Sequence, residues 1–314
     1  MKSRKKIKKL KGDASHRIFY RDKRKKSSSI IVYAKKSKKL NLLIYDAINQ
    51  ILINNKILAP KLYRENYSKN YIEIQDFGDQ TILSLLKKKK TNRIFIFKKI
   101  LKLLNKIQSI RQRKIENFKR KNYEIPTYNS KILLKEAKLF VDWYASDKLK
   151  EDKLRVFKKK FKKITSNLIE KLCLKNNFFV HRDFHVSNLM MVKKKIGIID
   201  NQDALIGNRA YDLASLIDDV RFKTSERTKN KVYNLYLKSQ KRLNKKHFEN
   251  DFKIISVLRN LKIIGIFTRL ALRDNKKKYL SFIPYAWKLV ELRSSTDKKF
   301  EDLNDLLSIF KKNY

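Results

Sequence analysis

The sequence predicts an α+β fold, in which a small β-rich region with one helix precedes a larger, mostly helical region. Residues 12–79 alternate short apolar runs with turn signals, whereas residues after 92 carry apolar side chains at helical spacing. A strand hairpin with polar residues at both ends interrupts the helices at 180–203. With 314 residues, 42% of them hydrophobic, the chain can bury one large core or two lobes.

The N-terminal region begins with a basic segment, residues 1–11, that we expect to be frayed. Apolar alternation then predicts strands at 18–21, 29–34, 61–63 and 71–75, with a helix at 40–54. The small-residue turn 12–15 could direct backbone N–H groups at phosphates, although an ordinary hairpin turn explains it equally well.

From Asn92 onward the chain is predicted to be mostly helical, apart from the hairpin. Helices are predicted at 94–110, 130–144, 153–175, 213–221, 226–243, 248–273 and 281–291, with a last turn at 303–310. Asp212 is the predicted N-cap of the helix at 213–221. We place the boundary between an N-lobe, 1–80, and a C-lobe, 81–314, at the change in periodicity.

The hairpin segment, VHRDFHVSNLMMVKKKIGIIDNQD, carries the most specific motif. Asn188 follows Asp183 by five positions, and Asp200 ends the second apolar run. A hairpin would bring Asn188, just before one strand, close to Asp200, just after the other. Phosphoryl transfer needs such a set, because one carboxylate accepts a proton while another, with an amide oxygen, holds Mg²⁺ on ATP.

The spacing H-R-D-x-x-x-x-N is that of the kinase catalytic loop. A solvated tripeptide and an aspartate at a strand end are also common turn chemistry. That interpretation does not account for polar residues at the required spacing on a predicted hairpin, so we favour the kinase interpretation.

The formal net charge of +49 raises nucleic acid as a partner. However, the basic residues are spread over the whole chain and are mainly lysine, whereas base-reading surfaces favour arginine. Abundant Lys, Ile, Asn, Tyr and Phe indicate the codon bias of an AT-rich genome. We therefore predict no dedicated nucleic-acid partner, only non-specific binding at low salt.

The single cysteine, Cys173, excludes an intramolecular disulfide and a cysteine metal cluster. No window has the apolar length of a membrane span, and no secretory signal is recognised. We expect a soluble, cytoplasmic protein, and a monomer.

The motif VHRDFHVSNLM, with IGIIDNQDALIGNRAYDLASLIDD, resembles the aminoglycoside phosphotransferase and choline kinase family. Gly12–Ser15 followed by Arg17 and Phe19, the DNQDA run at 200–204, and LKIIGIFTRLALRDNKKKYL at 261–280 are similar to bacterial anomeric kinases of N-acetylmuramate and N-acetylglucosamine. The resemblance covers nearly the whole chain.

The resemblance implies a bilobal protein-kinase-like fold with ATP in the cleft. It implies that Asp183 is the catalytic base and that Asn188 and Asp200 are magnesium ligands. The residues that it assigns to ATP are the phosphate loop Gly12, Asp13, Ala14 and Ser15, and Gln75, Asp76 and Phe77 beside adenine.

Two departures from the kinase pattern concern charge. Kinases pair a strand lysine with a helix glutamate to place the phosphates. Here Lys35 and Lys36 follow the predicted strand, with Lys35 as our candidate, but the next helix offers only Asp46. The metal aspartate also lies in D-N-Q-D, so Asp203 is either a further ligand or a turn residue.

Four further residues are assigned to substrate or support. His181 is expected to hold the loop backbone, and His185 either to touch substrate or to be an exposed loop residue. Asp212 is expected to support the catalytic loop, and Arg221 to lie near the substrate, where arginine suits a carboxylate.

These assignments predict an ATP- and Mg²⁺-dependent kinase that phosphorylates the anomeric hydroxyl of a cell-wall amino sugar. The alternatives are an aminoglycoside or choline phosphotransferase, and a nucleic-acid-binding or regulatory protein on a kinase-like scaffold.

Overall fold

The computed structural model describes residues 6–10, 17–24, 27–88 and 90–313. The predicted phosphate-loop residues Gly12, Asp13, Ala14 and Ser15 lie outside this part of the chain. Within it, an N-terminal antiparallel sheet precedes a mostly helical remainder, which confirms the α+β fold class.

The N-terminal sheet has five antiparallel strands in the order β1-β2-β3-β5-β4. Its strands are β1 (Lys6–Lys9), β2 (Arg17–Arg24), β3 (Ser27–Ala34), β4 (Leu62–Asn66) and β5 (Tyr71–Gln75). Because Lys6–Lys9 pairs along its whole length with β2, the expectation of a frayed segment is wrong for these residues. Backbone pairing orders them although their side chains are basic.

Helix α1 (Leu40–Asn54) packs on one face of this sheet, as predicted. Ile30, Val32 and Ala34 alternate along β3 and point into the core, where Leu42 and Tyr45 of α1 meet them. The period of two in the strand and the helical spacing in α1 therefore produce one shared apolar layer.

Residues 82–126 contain two helices and a short hairpin: α2 (Ile82–Leu86), α3 (Arg93–Gln108), β6 (Lys114–Glu116) and β7 (Asn122–Glu124). Asn92 caps α3 by accepting the backbone N–H of Phe95. The β6–β7 hairpin lies between the predicted helices 94–110 and 130–144, where no element was predicted. Its short strands carry one inward side chain each, too few to give a period in the sequence.

The next segment supplies α4 (Ser130–Leu139), α5 (Ser146–Lys148), α6 (Glu151–Glu170) and β8 (Phe178–Val180). A π-helical stretch, Phe140–Ala145, joins α4 to α5. Its aromatic residues belong to a buried cluster with rings of α6 and the C-terminal segment, made of Phe140, Tyr144, Phe157, Phe161, Trp287 and Phe310.

The predicted hairpin is present as β9 (Leu189–Val192) and β10 (Lys195–Ile198), with Leu189 opposite Ile198. Lys193 and Lys194 both have positive φ, 45° and 67°, which is the backbone of a two-residue type I′ turn. A third short strand, β11 (Leu205–Gly207), follows.

The C-terminal helices are α7 (Ala210–Ile217), α8 (Glu226–Lys238), α9 (Lys245–Leu272), α10 (Ile283–Ser294) and α11 (Glu301–Leu307). The predicted cap at Asp212 is wrong, because α7 begins at Ala210 and places Asp212, fully buried, in its first turn. Asn208 accepts the N–H of Ala210 at this helix start instead. Among the described residues, none of the helices combines the length and apolarity that a membrane crossing requires.

The chain forms two compact units, Met1–Pro126 with His181–Ile206, and Thr127–Val180 with Gly207–Tyr314. This division differs from the predicted one at residue 80, because the hairpin is hydrogen-bonded to the N-terminal segment. The N–H of Ile198 donates to the carbonyl of Leu58 at 2.9 Å, and that of Met191 to Gln80 at 2.8 Å.

Candidate active site

The HRD segment forms a loop whose hydrogen bonds converge on the backbone carbonyl of its aspartate, Asp183. The backbone carbonyl of Asp183 accepts the N–H of His185 at 2.9 Å and the side-chain Nδ2 of Asn188 at 3.1 Å. Phe184 and Val186 are fully buried and anchor the loop, whereas Asp183 and Asn188 are half-buried. The buried run 184–186 therefore leaves Asp183 and Asn188 partly exposed on either side of it.

The hairpin places Asn188 directly across from the residue that precedes Asp200. The N–H of Ile199 donates to the carbonyl of Asn188 at 3.0 Å, which continues the β9–β10 ladder by one pair. Asp200 itself adopts a left-handed conformation (φ 66°, ψ 43°) and leads into a short 3₁₀ turn, Asn201–Asp203. Aspartate is one of the few residue types that tolerate this backbone.

A buried amide relay joins this turn to the catalytic loop and to α1. Asn201 Oδ1 lies 2.8 Å from His181 Nε2, and Asn201 Nδ2 donates to Asn49 Oδ1 at 2.6 Å. Asn49 is also hydrogen-bonded to the hydroxyl of Tyr45 one turn earlier. All four side chains are buried, so the relay fixes the turn relative to α1. The sequence analysis missed Asn49 and Asn201, because nothing in their local sequence marks them as partners.

Asp203 and His185 take positions that the sequence left open. Asp203 is exposed, its carboxylate accepts Gln202 Nε2 at 2.8 Å, and its carbonyl accepts Nη1 of Arg182 at 3.3 Å. His185 is only 5% exposed, so the alternative of an exposed loop histidine is wrong. Its Nε2 lies 3.4 Å from Asn188 Nδ2.

Asn188 and Asp200 have the chemistry of a magnesium site. Mg²⁺ prefers oxygen ligands and is usually held by one or two carboxylates together with substrate phosphates. Because Nδ2 of Asn188 donates within the loop, its Oδ1 is the atom that could bind a cation. Within the described ranges, no group of three or more His, Cys, Asp or Glu side chains could hold a metal. The donor set therefore fits an ion that is completed by phosphate oxygens rather than a metal held by protein alone.

The cation next to Asp200 is Arg17, the first residue of β2. The guanidinium Nη2 of Arg17 forms an ion pair with Oδ1 of Asp200, and Arg17 is only 6% exposed. Lys35, our candidate for the phosphates, is exposed. Asp46 of α1 does not pair with it, since its carboxylate accepts Gln50 Nε2 and the N–H of Phe118.

Arg17, Phe19 and Arg21 alternate along β2, and this pattern could have marked the two arginines. Residues two apart share one face of a strand, so charged side chains beside an inward Phe19 indicate buried partners. Arg21 indeed pairs with Asp76 at 2.7 Å and Asp79 at 2.7 Å.

The segment after β5 is held by this second arginine. Burial alone would raise the pKa of Asp76, but the N–H of Gly78 and the guanidinium of Arg21 outweigh it and lower that pKa. Because the carboxylate of Asp76 is engaged, the backbone of this segment is the part that could bind adenine. Gln75, the last residue of β5, directly precedes Asp76, and its backbone N–H donates to the carbonyl of Lys61.

Phe77 is buried against the hairpin. A Cβ added at Gly197 would lie only 2.7 Å from Cε2 of the Phe77 ring. Any larger residue at this position of β10 would therefore have to displace the ring. The pair packs the segment after β5 against the hairpin that carries Asp200.

Asp212 and Arg221 belong to the second unit, and their predicted roles stay predictions. Asp212 is fully buried in α7. The guanidinium of Arg221 lies 3.9 Å from Asp219 and 5.7 Å from the ring of Phe267. Arg269, on the same helix as Phe267, has its pKa lowered by burial and by the neighbouring charge of Arg273.

Comparison with known proteins assigns most of the chain to one family. Residues 6–240 match the phosphotransferase enzyme family, APH. The chain is 26% identical over 264 residues to the N-acetylmuramate/N-acetylglucosamine kinase of Pseudomonas aeruginosa, covering 82% of this chain and 75% of the relative. It is 24% identical over 284 residues to the kinase of the same name from Neisseria meningitidis serogroup B, covering 87% and 80%.

Solved structures share the fold at low sequence identity. The ADP-bound aminoglycoside phosphotransferase APH(2'')-Ib superposes with a TM-score of 0.60 at 15% identity, covering 92% of this chain and 94% of that chain. Plasmodium vivax ethanolamine kinase superposes with a TM-score of 0.59 at 16% identity, covering 93% and 83%. The family match over residues 6–240, with relatives that are kinases, places this chain in the phosphotransferase enzyme family, as a kinase.

Proposed function

We propose that this kinase transfers the γ-phosphoryl group of ATP to the anomeric hydroxyl of N-acetylmuramate or N-acetylglucosamine. The observation that carries the proposal is the arrangement of Asp183, Asn188 and Asp200 around one hairpin in one compact unit. The curated relatives named above support the choice of sugar.

Asp183 is the general base of the proposed reaction. It accepts the proton of the sugar hydroxyl while the sugar oxygen bonds to the γ-phosphorus and the bond to the β–γ bridging oxygen breaks. The products are ADP and a sugar 1-phosphate. Its carbonyl closes the loop through His185 and Asn188, so the side chain starts from a fixed backbone.

Asn188 and Asp200 are the residues that would hold Mg²⁺. When bound, the ion would neutralise negative charge on the ATP phosphates. The relay from His181 through Asn201 to Asn49 holds the turn that carries Asp200, so it positions this ligand without touching ATP.

The charge of the chain favours a neutral or anionic acceptor. Aminoglycosides and choline are cations, and their sites need carboxylates or aromatic cages. The chain has 79 basic against 30 acidic residues, and Asp218 is already paired with Lys229 and Arg293. An N-acetyl sugar meets no repulsion, and the lactyl carboxylate of N-acetylmuramate suits an arginine such as Arg221.

The second candidate is an aminoglycoside phosphotransferase, because APH(2'')-Ib has the same fold. Likeness at this identity supports the fold alone, and the excess of basic residues opposes a cationic substrate. We therefore expect aminoglycosides to be rejected.

The experiment that tests the proposal compares substrates at one salt concentration. The kcat/KM of the purified protein is measured with ATP for N-acetylmuramate, N-acetylglucosamine and kanamycin, and the product is assigned by NMR. We expect turnover of at least one N-acetyl sugar at the anomeric position. If kanamycin is the best substrate, or if no reducing sugar is turned over, the proposed acceptor is wrong.

A further inference from the structure

Arg17 is a buried cation that follows the predicted phosphate loop, 12–15, by two positions in the sequence. It is the first residue of β2, directly after residues 11–16. Its guanidinium lies 5.4 Å from the ring of Phe19 and 5.5 Å from that of Tyr45, and it reaches Asp200. Aromatic faces stabilise a partly desolvated guanidinium in one position.

Tyr45 of α1 is a buried neighbour of this arginine. Burial raises the pKa of Tyr45 to about 12, and its electrostatic neighbours are Arg17 and Asp200. Protein kinases extend a glutamate from a helix to a strand lysine. Here α1 presents the ring of Tyr45 to Arg17.

The described residues of the first unit include few buried cations that could bind the phosphates of ATP. Strand β3, SSSIIVYA, contains no basic residue, and Lys35 beyond it is exposed. Among the described residues of this unit, the buried basic side chains are Arg17 and Arg21. Arg21 is engaged by Asp76, Asp79 and the carbonyl of Gly78.

We propose that Arg17 is the phosphate-binding cation of this kinase, in place of a strand lysine. The inference rests on the proposed use of MgATP. Before the nucleotide binds, Arg17 is paired with Asp200. With MgATP bound, Asp200 would be a ligand of the metal and the guanidinium of Arg17 would bind a phosphate of ATP.

The exchange balances charge at each stage. The Asp200 carboxylate has a cationic partner in both arrangements, first Arg17 and then Mg²⁺. The guanidinium likewise has an anionic partner in both, first the carboxylate and then a phosphate. Arginine suits this role, because its planar fork matches carboxylate and phosphate oxygens alike.

Nucleotides that differ only in phosphate number test the proposal. We measure the Kd of wild type, Arg17→Gln and Arg17→Lys for MgATP and MgADP by calorimetry, and for adenosine by NMR titration. Glutamine is neutral and can still donate to Asp200, so it preserves the fold better than alanine. A thermal transition close to that of wild type verifies folding of each variant.

We expect Arg17→Gln to weaken MgATP binding by roughly 10- to 100-fold, as for a lost hydrogen-bonded charge, and MgADP binding less. Adenosine affinity should not change. Arg17→Lys keeps the charge without the fork and should fall between wild type and Arg17→Gln. The control is Arg64→Gln, an exposed arginine of β4 that pairs with Glu73, and it should bind all three ligands as wild type does.

An equal loss for MgATP, MgADP and adenosine in Arg17→Gln would make Arg17 structural and overturn the inference. Unchanged affinity for MgATP in that variant would overturn it as well. A wild-type protein that binds no MgATP would instead remove the proposed function, so the two failures are distinguishable.

Discussion

The backbone carbonyl of Asp183 accepts the hydrogen bonds that close the catalytic loop. Replacement of its carboxylate by an amide leaves those bonds in place. We therefore expect Asp183→Asn to bind MgATP as wild type does but to lose about 10²- to 10⁴-fold in kcat, the usual effect of losing a general base. Steady-state kinetics and calorimetry check the two parts separately. Unchanged kcat would remove Asp183 from its proposed role.

Asp200 and Asn188 differ in charge, which separates their effects on metal binding. Asp200→Ala should weaken Mg²⁺-dependent ATP binding more than Asn188→Ala, because a carboxylate attracts the cation and an amide does not. Calorimetry with MgATP, repeated with a chelator, measures the metal-dependent part for each variant. Wild-type affinity in both variants would make the hairpin a structural element only.

At the scale of elements, Gly265 lies at a close contact between the backbones of α9 and α4. A Cβ at this position of α9 would stand 2.2 Å from the carbonyl oxygen of Leu139 and 2.6 Å from the nitrogen of Phe140. Both atoms are backbone, so neither can rotate away. The contact falls where α4 changes into the π-helical stretch Phe140–Ala145.

Gly265→Ala should therefore destabilise the protein. In an open helix this substitution stabilises by up to about 1 kcal/mol, but here overpacking should cost roughly 1–3 kcal/mol. Urea denaturation of the variant measures the free energy of unfolding. Lys246→Ala, at an exposed site of α9, is the control and should stay within about 0.5 kcal/mol of wild type. A more stable Gly265→Ala variant would contradict the close approach.

At the scale of the whole molecule, one buried carboxylate connects four helices of the second unit. Asp218, at the end of α7, pairs with Lys229 of α8 at 3.1 Å and with Arg293 of α10 at 2.9 Å. It also accepts the hydroxyl of Ser256 of α9 at 2.6 Å. Burial alone would raise its pKa, but the charges of Lys229 and Arg293 outweigh burial and lower the pKa to about 2.

This depressed pKa predicts a dependence of stability on acid. A carboxyl group whose folded pKa is lowered from 3.8 to about 2 stabilises the protein by about 2 kcal/mol above its unfolded pKa. That contribution should be lost as the pH falls toward about 2. Urea denaturation of wild type and Asp218→Asn across this window isolates it, since the other carboxyl groups are common to both. If the difference in unfolding free energy between wild type and Asp218→Asn does not shrink as the pH falls, the prediction is contradicted.

The sequence by itself determined the features that depend on neighbours along the chain. The periodicities predicted the α+β class, and most predicted helices are present with different ends. The hairpin was predictable because its strands, turn and flanking polar residues are contiguous, so that Asn188 and Asp200 needed only one turn to approach each other. Their catalytic roles, like that of Asp183, stay predictions.

Only the tertiary structure decided the pairings between distant residues. Arg17 and Asp200 are 183 positions apart, and Asn49 and Asn201 are 152 positions apart. Nothing in local spacing encodes such a pair, because it depends on which faces of β2 and α1 pack against the hairpin. The sequence offered Lys35 as the candidate lysine and showed that the next helix has no glutamate, only Asp46. The packing of buried side chains decided that Arg17 of β2 pairs with Asp200.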